Sequence, residues 1–311
     1  MLKRVLAVFV ATIMIFASAG CSLIADIEKL FDAAVKTGDY SGIDALPASG
    51  DYSLPGAKGD GFSVFFIDVG QADSAVLMCD GEAMLIDGGN SADSSRVVAV
   101  LTKLQISHLK AIICTHAHED HVGGVSGPLN VFSVDKVFAP KVGAKTKAYD
   151  NFLQSLKRKN LSIDYPKFLD KLYIGSAVIT FVTPNEFVTE EKSNLNNTSI
   201  VIKVEYGANT LLFTGDAEKK LEDAIIDSGV DLSADLLKVS HHGSEKSTSY
   251  RFLREVMPQY AIISVGKNSY GHPTQDVLSR LKDARAEVFR TDLLGDIAVM
   301  SDGENLKIIT H

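Results

Sequence analysis

Tryptophan is absent from the 311 residues, and cysteine occurs only three times. The missing tryptophan decides nothing. Too few cysteines are present for a disulfide-built scaffold; Cys79 and Cys114 lie inside apolar runs, where they could pair in an exported protein or stay as free buried thiols. A basic excess is also lacking: the net charge is −8, which excludes a general nucleic-acid coat protein but not an enzyme that grips a polyanion locally. No apolar run is long. Residues 5–17, "VLAVFVATIMIFA", number thirteen, and a bilayer-spanning helix needs about 20. No short-period repeat is visible. What remains, 46% apolar and 23% charged residues, is the composition of a folded globular chain.

The amino terminus differs from everything after it. Lys3 and Arg4 precede the apolar run, and "SAGC" closes it at Cys21. This order of charged, apolar and small residues predicts a signal peptide over 1–20 and export from a bacterial cytoplasm. The small residues before the cysteine resemble a lipobox, with Ser18 in place of the usual aliphatic residue; lipidation of Cys21 would tether the mature chain to a membrane. A plain secretory signal is the alternative. Residues 22–37 carry apolar positions at 24, 27, 30, 31 and 34, a weakly amphipathic helix, and 38–61 is rich in Gly, Ser, Asp and Pro, a tether.

Residues 62–311 read as one domain. "FSVFFIDVG", "SAVLMCD" and "EAMLIDGGN" are short apolar runs broken by Gly and Asp, the pattern of strands and turns. A helix over 94–105 and a buried strand over 109–116 follow, then a strand over 134–140 and a helix over 146–160. Further strands are predicted at 173–182, 199–206, 210–214, 235–240, 260–265, 286–289 and 297–300, with helices at 217–229, 248–256 and 274–284. Strands first, then helix and strand alternating, twice over, predicts an α/β fold of two sheets with helices outside, an αββα sandwich.

"THAHEDH" (115–121) packs three histidines, a glutamate and an aspartate into six consecutive positions. A buried strand delivers them to its C-terminal end, where α/β sites form. Imidazole and carboxylate are the ligands of borderline divalent ions. His116 and His118 suit one ion, Asp120 and His121 a second. One loop is not a complete site, so ligands are expected at other strand ends. Asp216 closes the strand in "TLLFTGD", where it could bridge two ions or simply cap the following helix. His241 and His242 close "ADLLKVSHHGS", and strand parity alone leaves open which of them ligates.

Together these residues match the H-x-H-x-D-H pattern of the metallo-β-lactamase superfamily. "FFIDVGQADSAVL", "LIDGG", "LLFTGD", "LLKVSHHGS", "ISVGKNSYGHP" and "RTDLLGDI" narrow the match. They resemble the soluble metallo-β-lactamase-like domain of the ComEC competence DNA-uptake proteins, here without the polytopic membrane region. The resemblance implies an αββα sandwich, two divalent ions (Zn or Mn) and nuclease action. It departs from the wider superfamily in one place: residues 194–216 contain no histidine to complete the first ion's ligands. Asn197 stands there instead, with Ser199 two residues on, which implies a weaker or Mn-preferring first site.

A two-ion centre generates hydroxide at neutral pH and suits phosphodiester cleavage. Asp120 is then both a ligand and an orienting group, and His272 in "YGHP" holds a phosphate or protonates the leaving oxygen, unless it is only a turn residue. Ser244, Lys267 and Asn268 are further phosphate-contact candidates. Asp68, Asp73 and Asp87, with Gln71, are expected behind the ligands, orienting imidazoles; Arg290, Thr291 and Asp292 do similar work or shape the substrate edge. Between Asp135 and Lys171 nine Lys/Arg face four Asp, a local net of +5, either a polyanion strip or a solvated helix face. The leading expectation is an exported phosphodiesterase acting on DNA. A phosphorylcholine-esterase-like surface enzyme is the alternative; a β-lactamase or a non-catalytic surface-binding lipoprotein ranks below both. No protein partner is inferable.

Overall fold

Fifteen strands alternate with short helices in the computed structural model, which describes Leu54 and residues 56–191 and 193–310. The signal segment, Cys21, the helix over 22–37 and most of the tether lie outside the described residues.

Strands β1 (Phe62–Phe66), β2 (Ala75–Cys79) and β3 (Glu82–Ile86) form an antiparallel meander. Helix α1 (Ser94–Lys103) then crosses to β4 (His108–Ile113), parallel to β3. Helices α2 (Glu119–Val122) and α3 (Ser126–Val131) lead to β5 (Ser133–Phe138), and α4 (Lys147–Lys159) to β6 (Ile163–Asp164), both strands again parallel. The second half repeats the plan. β7 (Lys171–Ile174), β8 (Ala177–Phe181), β9 (Ile202–Tyr206) and β10 (Asn209–Phe213) are antiparallel, with α5 (Asn185–Thr189) between β8 and β9. Then α6 (Lys219–Asp227), β11 (Leu236–Lys238), α7 (Tyr250–Val256), β12 (Tyr260–Ile263), α8 (Gln275–Asp283) and β13 (Glu287–Arg290) alternate, the strands parallel. After α9 (Thr291–Leu294), β14 (Ile297–Ser301) and β15 (Leu306–Ile309) return to the first sheet beside β1.

Alternation along the strands makes the layers. In β1, Phe62, Val64 and Phe66 enter the core between the two sheets, whereas Phe65 enters the core beneath α1 and α4. On β10, Leu211 and Phe213 face that same central core, while Leu212 faces α6, α7 and α8. Three apolar layers therefore separate four layers of structure, and the expected αββα sandwich is what forms.

Besides the short elements α2, α3, α5, α9 and β6, which the sequence reading did not foresee, that reading differs from the structure in three places. The run over 173–182 is a hairpin and not one strand: Gly175 turns it at φ +53°, and a Cβ there would meet the Cys79 carbonyl oxygen at 2.6 Å. Leu54, read as tether, is buried in the core under α1, and the Gly56 carbonyl accepts the Gly81 N–H at 2.9 Å; the domain begins inside that stretch. The strand pair β14–β15 is longer than the single strand expected over 297–300. Cys79 and Cys114 are both free and buried. Among the described residues no helix is long and apolar enough to cross a membrane.

Candidate metal centre

The histidine cluster occupies the loop after β4 and the first turn of α2. Behind it stands Asp87, buried at the end of β3. Its carboxylate accepts the Thr115 N–H and hydroxyl, each at 2.7 Å, and lies 2.8 Å from His121 Nδ1. One carboxylate thus fixes both ends of the loop and turns Nε2 of His121 toward the centre. The glycines beside it serve packing: a Cβ on Gly124 would lie 1.9 Å from the Gly88 carbonyl oxygen, so only glycine lets "DGG" and "HVGG" interlock.

Asp216, after β10, lies between two sets of imidazoles. Its Oδ1 is 3.2 Å from His121 Nε2 and 3.8 Å from His242 Nε2. Its Oδ2 is 3.8 Å from His116 Nε2 and 3.7 Å from His241 Nε2. Asp120 Oδ2 closes the first of these sides, 3.3 Å from His242 Nε2 and 3.9 Å from His121 Nε2. His118 Nδ1 adds to the other, 2.9 Å from His116 Nε2. Both members of the His241–His242 pair therefore reach Asp216, on opposite oxygens. Strand alternation could not foretell this, because both residues are left-handed, with φ of 51° and 53°, and successive αL residues are not governed by period two. Such backbone costs of order 1–3 kcal/mol per residue and collects at functional sites.

The donors suit divalent cations. Ligand atoms about 2.1 Å from one tetrahedral ion lie about 3.4 Å apart, and the four around Asp120, His121, Asp216 and His242 are separated by 3.2–3.9 Å along their ring. His121 Nε2 and Asp216 Oδ1 are buried and have no hydrogen-bond partner. A cation satisfies both.

Electrostatics agree. Burial opposes charge on all of these groups, yet Asp216, Asp87 and Asp120 raise the His121 pKa well above its ordinary value. Against the same burial, Asp216 and Asp73 push His242 up to about 10. Asp216 is in turn held well below the usual carboxylate range by His121 and His242, despite its burial. The pocket is strongly cation-seeking on the Asp120 side. On the other side, burial and then the His121 charge push His116 well below its ordinary value, which leaves it a neutral donor, the form a metal binds.

The surrounding candidates divide. Asp73 sits behind the ligands, with Oδ1 3.3 Å from His242 Nδ1. Its other oxygen is 2.8 Å from Lys238 Nζ, a buried lysine on β11 that sequence reasoning passed over. A lysine inside an apolar run with a distant acidic partner leaves no local signal. Asp68 does not stand behind an imidazole: its carboxylate accepts the Gly70 N–H at 3.0 Å, an ordinary turn contact. Asn197 is not aimed at the first site either, because its Oδ1 accepts the Glu218 N–H at 3.2 Å. His241 lies on the same side of Asp216 as His116, and Asn196 Nδ2 approaches its Nδ1 at 3.4 Å. Ser244 is buried and its hydroxyl accepts the Lys246 N–H at 3.4 Å. Asn268 spends its amide on the Gly266 and His272 carbonyls and the Tyr270 and His272 N–H groups, so it shapes the loop; Lys267 is exposed on that loop. Gln71 receives the Gly266 N–H at 3.3 Å. Arg290 and Asp292 pair with each other, and Thr291 ties down the end of β12 through Val265. His272 reaches the centre, its ring 5.5 Å from that of His241, with a buried and unpartnered Nδ1.

Residues 67–267 match the model of the metallo-β-lactamase superfamily, and the chain belongs to that superfamily, a metal-dependent hydrolase fold. Its curated relatives include ComE operon protein 3 of Bacillus subtilis, 32% identical over 253 residues, covering 75% of this chain and 32% of the relative. Recombination protein 2 of Haemophilus influenzae is 32% identical over 251 residues, 78% of this chain and 29% of the relative. The chain thus spans about a third of the length of these relatives. Among solved structures, the metallo-β-lactamase fold protein YhfI of Bacillus subtilis superposes with a TM-score of 0.52 at 12% identity, over 77% of this chain and all of YhfI; the likeness is one of fold.

Proposed function

We propose that this protein is an exported, two-metal phosphodiesterase whose substrate is DNA. One observation carries the reading: the two oxygens of Asp216 each face a separate set of ligating side chains. A bridging carboxylate of this kind is what a pair of ions about 3.5–4 Å apart requires. His116, His118 and His241 would hold one ion, and Asp120, His121 and His242 the other. Bound there, two divalent ions would activate a water for attack and neutralise the charge that gathers on a phosphodiester.

The chain's own groups do the positioning. Asp87 orients His121, and the Ser264 carbonyl, 2.8 Å from His242 Nδ1, orients His242 with Asp73 beside it. Burial, with His241 and His242 beside it, lowers His272 to about 4. It is therefore a neutral imidazole at pH 7, suited to hydrogen-bonding a phosphate oxygen rather than delivering a proton. The relative named for recombination supports DNA over other phosphodiesters. Export rests on the amino-terminal segment, and lipid anchorage on Cys21.

The test offers the purified full-length chain, loaded with Mn²⁺ or Zn²⁺, linear DNA, bis-p-nitrophenyl phosphate, p-nitrophenyl phosphorylcholine and a chromogenic cephalosporin. Cleavage of the first two, abolished in His118→Ala, is expected. Turnover only of phosphorylcholine or the cephalosporin would overturn the reading.

A further inference from the structure

Two hollows lie side by side on the helix-covered face next to the metal centre. One, of about 410 Å³, is lined by Lys219, Lys246, Ser247, Ser249, Arg251 and Arg280, with Glu245 at its wall. The other, of about 270 Å³, is lined by Leu253, Arg254, Met257 and Ala284 among others. Tyr250, 53% exposed, and Arg280 line both.

The first hollow has the character of an anion site. Two of its cations are neutralised from outside the lining, Lys219 by Asp223 and Arg251 by Asp223 and Asp227, and Glu245, exposed at the wall, offsets one positive charge of those that remain. Arg280 is different. Its guanidinium donates to the carbonyls of Ser247 at 2.8 Å, Thr248 at 3.4 Å and Glu245 at 3.1 Å, so its charge is not cancelled by an acid. Lys246 is exposed and its Nζ has no carboxylate partner among the described residues. Ser247 is fully buried, yet its Oγ has no hydrogen-bond partner. A buried hydroxyl without a partner beside two cations that no carboxylate pairs calls for an acceptor-rich ligand. The second hollow is apolar where Leu253 and the 69% exposed Met257 form it, and the Tyr250 ring, held by its hydroxyl on Asp283 at 2.8 Å, offers a fixed face.

The first hollow is tied to the centre by short chain. Lys219 follows Asp216 by three residues, a span of at most ~11 Å, and its N–H is bonded to the Lys246 carbonyl at 3.0 Å. Lys246 follows His242 by four residues, and its own N–H is held by Ser244.

We infer that this pair of hollows is a nucleotide subsite for single-stranded nucleic acid leaving the metal centre: a backbone phosphate sits against Lys246, Arg280 and Ser247, and its base stacks on Tyr250. The inference rests on the phosphodiesterase reading for its substrate. It makes single-stranded DNA the form held beside the reaction, because a base stacked inside a duplex has no face free for Tyr250.

The experiment uses the metal-loaded full chain and its Lys246→Ala and Tyr250→Ala variants, both changed at exposed positions. Fluorescence anisotropy of a labelled short oligothymidylate with a phosphorothioate backbone measures binding, and cleavage of an ordinary oligothymidylate and of bis-p-nitrophenyl phosphate measures catalysis. Tyr250→Ala should weaken oligonucleotide binding ~10-fold, with no further loss when the strand lacks bases. Lys246→Ala should weaken both strands and lower the salt slope by about 0.7. Turnover of the small diester should stay within about twofold in both variants, since it occupies only the centre. Unchanged binding in both variants overturns the subsite, as does equal loss on the small diester. If wild type cleaves neither substrate, the phosphodiesterase reading fails, and the binding measurements still decide the subsite.

Discussion

Lys238 and Asp73 form a buried ion pair: Nζ to Oδ2 is 2.8 Å, and the side chains are only 5% and 7% exposed. Lys238 also donates to the Val239 carbonyl at 2.9 Å. Replacing it with methionine keeps the aliphatic stem that packs along β11 but leaves the Asp73 carboxylate buried without its main cation. Breaking a buried pair costs about 3–5 kcal/mol. His242 Nδ1, 3.3 Å from Asp73 Oδ1, still offers partial compensation, so Lys238→Met should fall near the lower end, about 3 kcal/mol. Asp73→Asn strands the lysine in the same way and should cost a similar amount. Combined, the two remove both charges, and the double variant should recover to within about 1 kcal/mol of wild type. The assay is urea denaturation of the chelator-treated protein, comparing midpoints at unchanged m. A Lys238→Met cost under about 1 kcal/mol, or strictly additive losses in the double variant, would refute the pairing as the reason for a buried lysine.

Gly124→Ala should destabilise by about 3 kcal/mol, because its Cβ falls 1.9 Å from the Gly88 carbonyl oxygen; near-wild-type thermal stability would contradict the interlock. Burial raises the pKa of Glu222, which accepts the N–H groups of Thr248 and Ser249. Its folded pKa lies above the unfolded one, so this contribution to stability is full below pH 4.5 and is lost as pH rises through the folded value. Glu222→Gln should therefore flatten the decline in stability above pH 4.5, read by denaturation across pH; an unaltered profile would refute the assignment. Metal at about 100 times its Kd should stabilise by about 2.7 kcal/mol, a Tm rise on the order of 5–10 °C for a domain of this size, and Asp216→Ala should abolish that rise.

Much of this was legible because periodicity and punctuation survive in single sequences. The alternating apolar residues of "FSVFF" place β1 between two cores, and helix α4, expected over 146–160, forms from Lys147 to Lys159 between its Thr146 cap and a left-handed Asn160. The ligand loop announced itself by density of histidine. What stayed hidden depended on backbone hand and on distance. His241 and His242 divide between the two oxygens of Asp216 only because both are left-handed. Asn197 looked like a ligand because it stands in the ligand's place, but its amide is taken by the Glu218 N–H. Lys238 and Asp73 are 165 residues apart in sequence, and nothing local joins them. Leu54 was hidden by its neighbours, since one buried leucine in a Gly, Ser and Pro stretch carries no period.

The division of ligands between the two sides of Asp216 is tested most directly by counting bound metal. Mass spectrometry of the equilibrated full chain should find about two ions in wild type. His241→Ala and His242→Ala should each retain about one, and the double variant together with Asp216→Ala essentially none. Saturation of wild type at a single ion, or retention of both ions by either single histidine variant, would contradict the account.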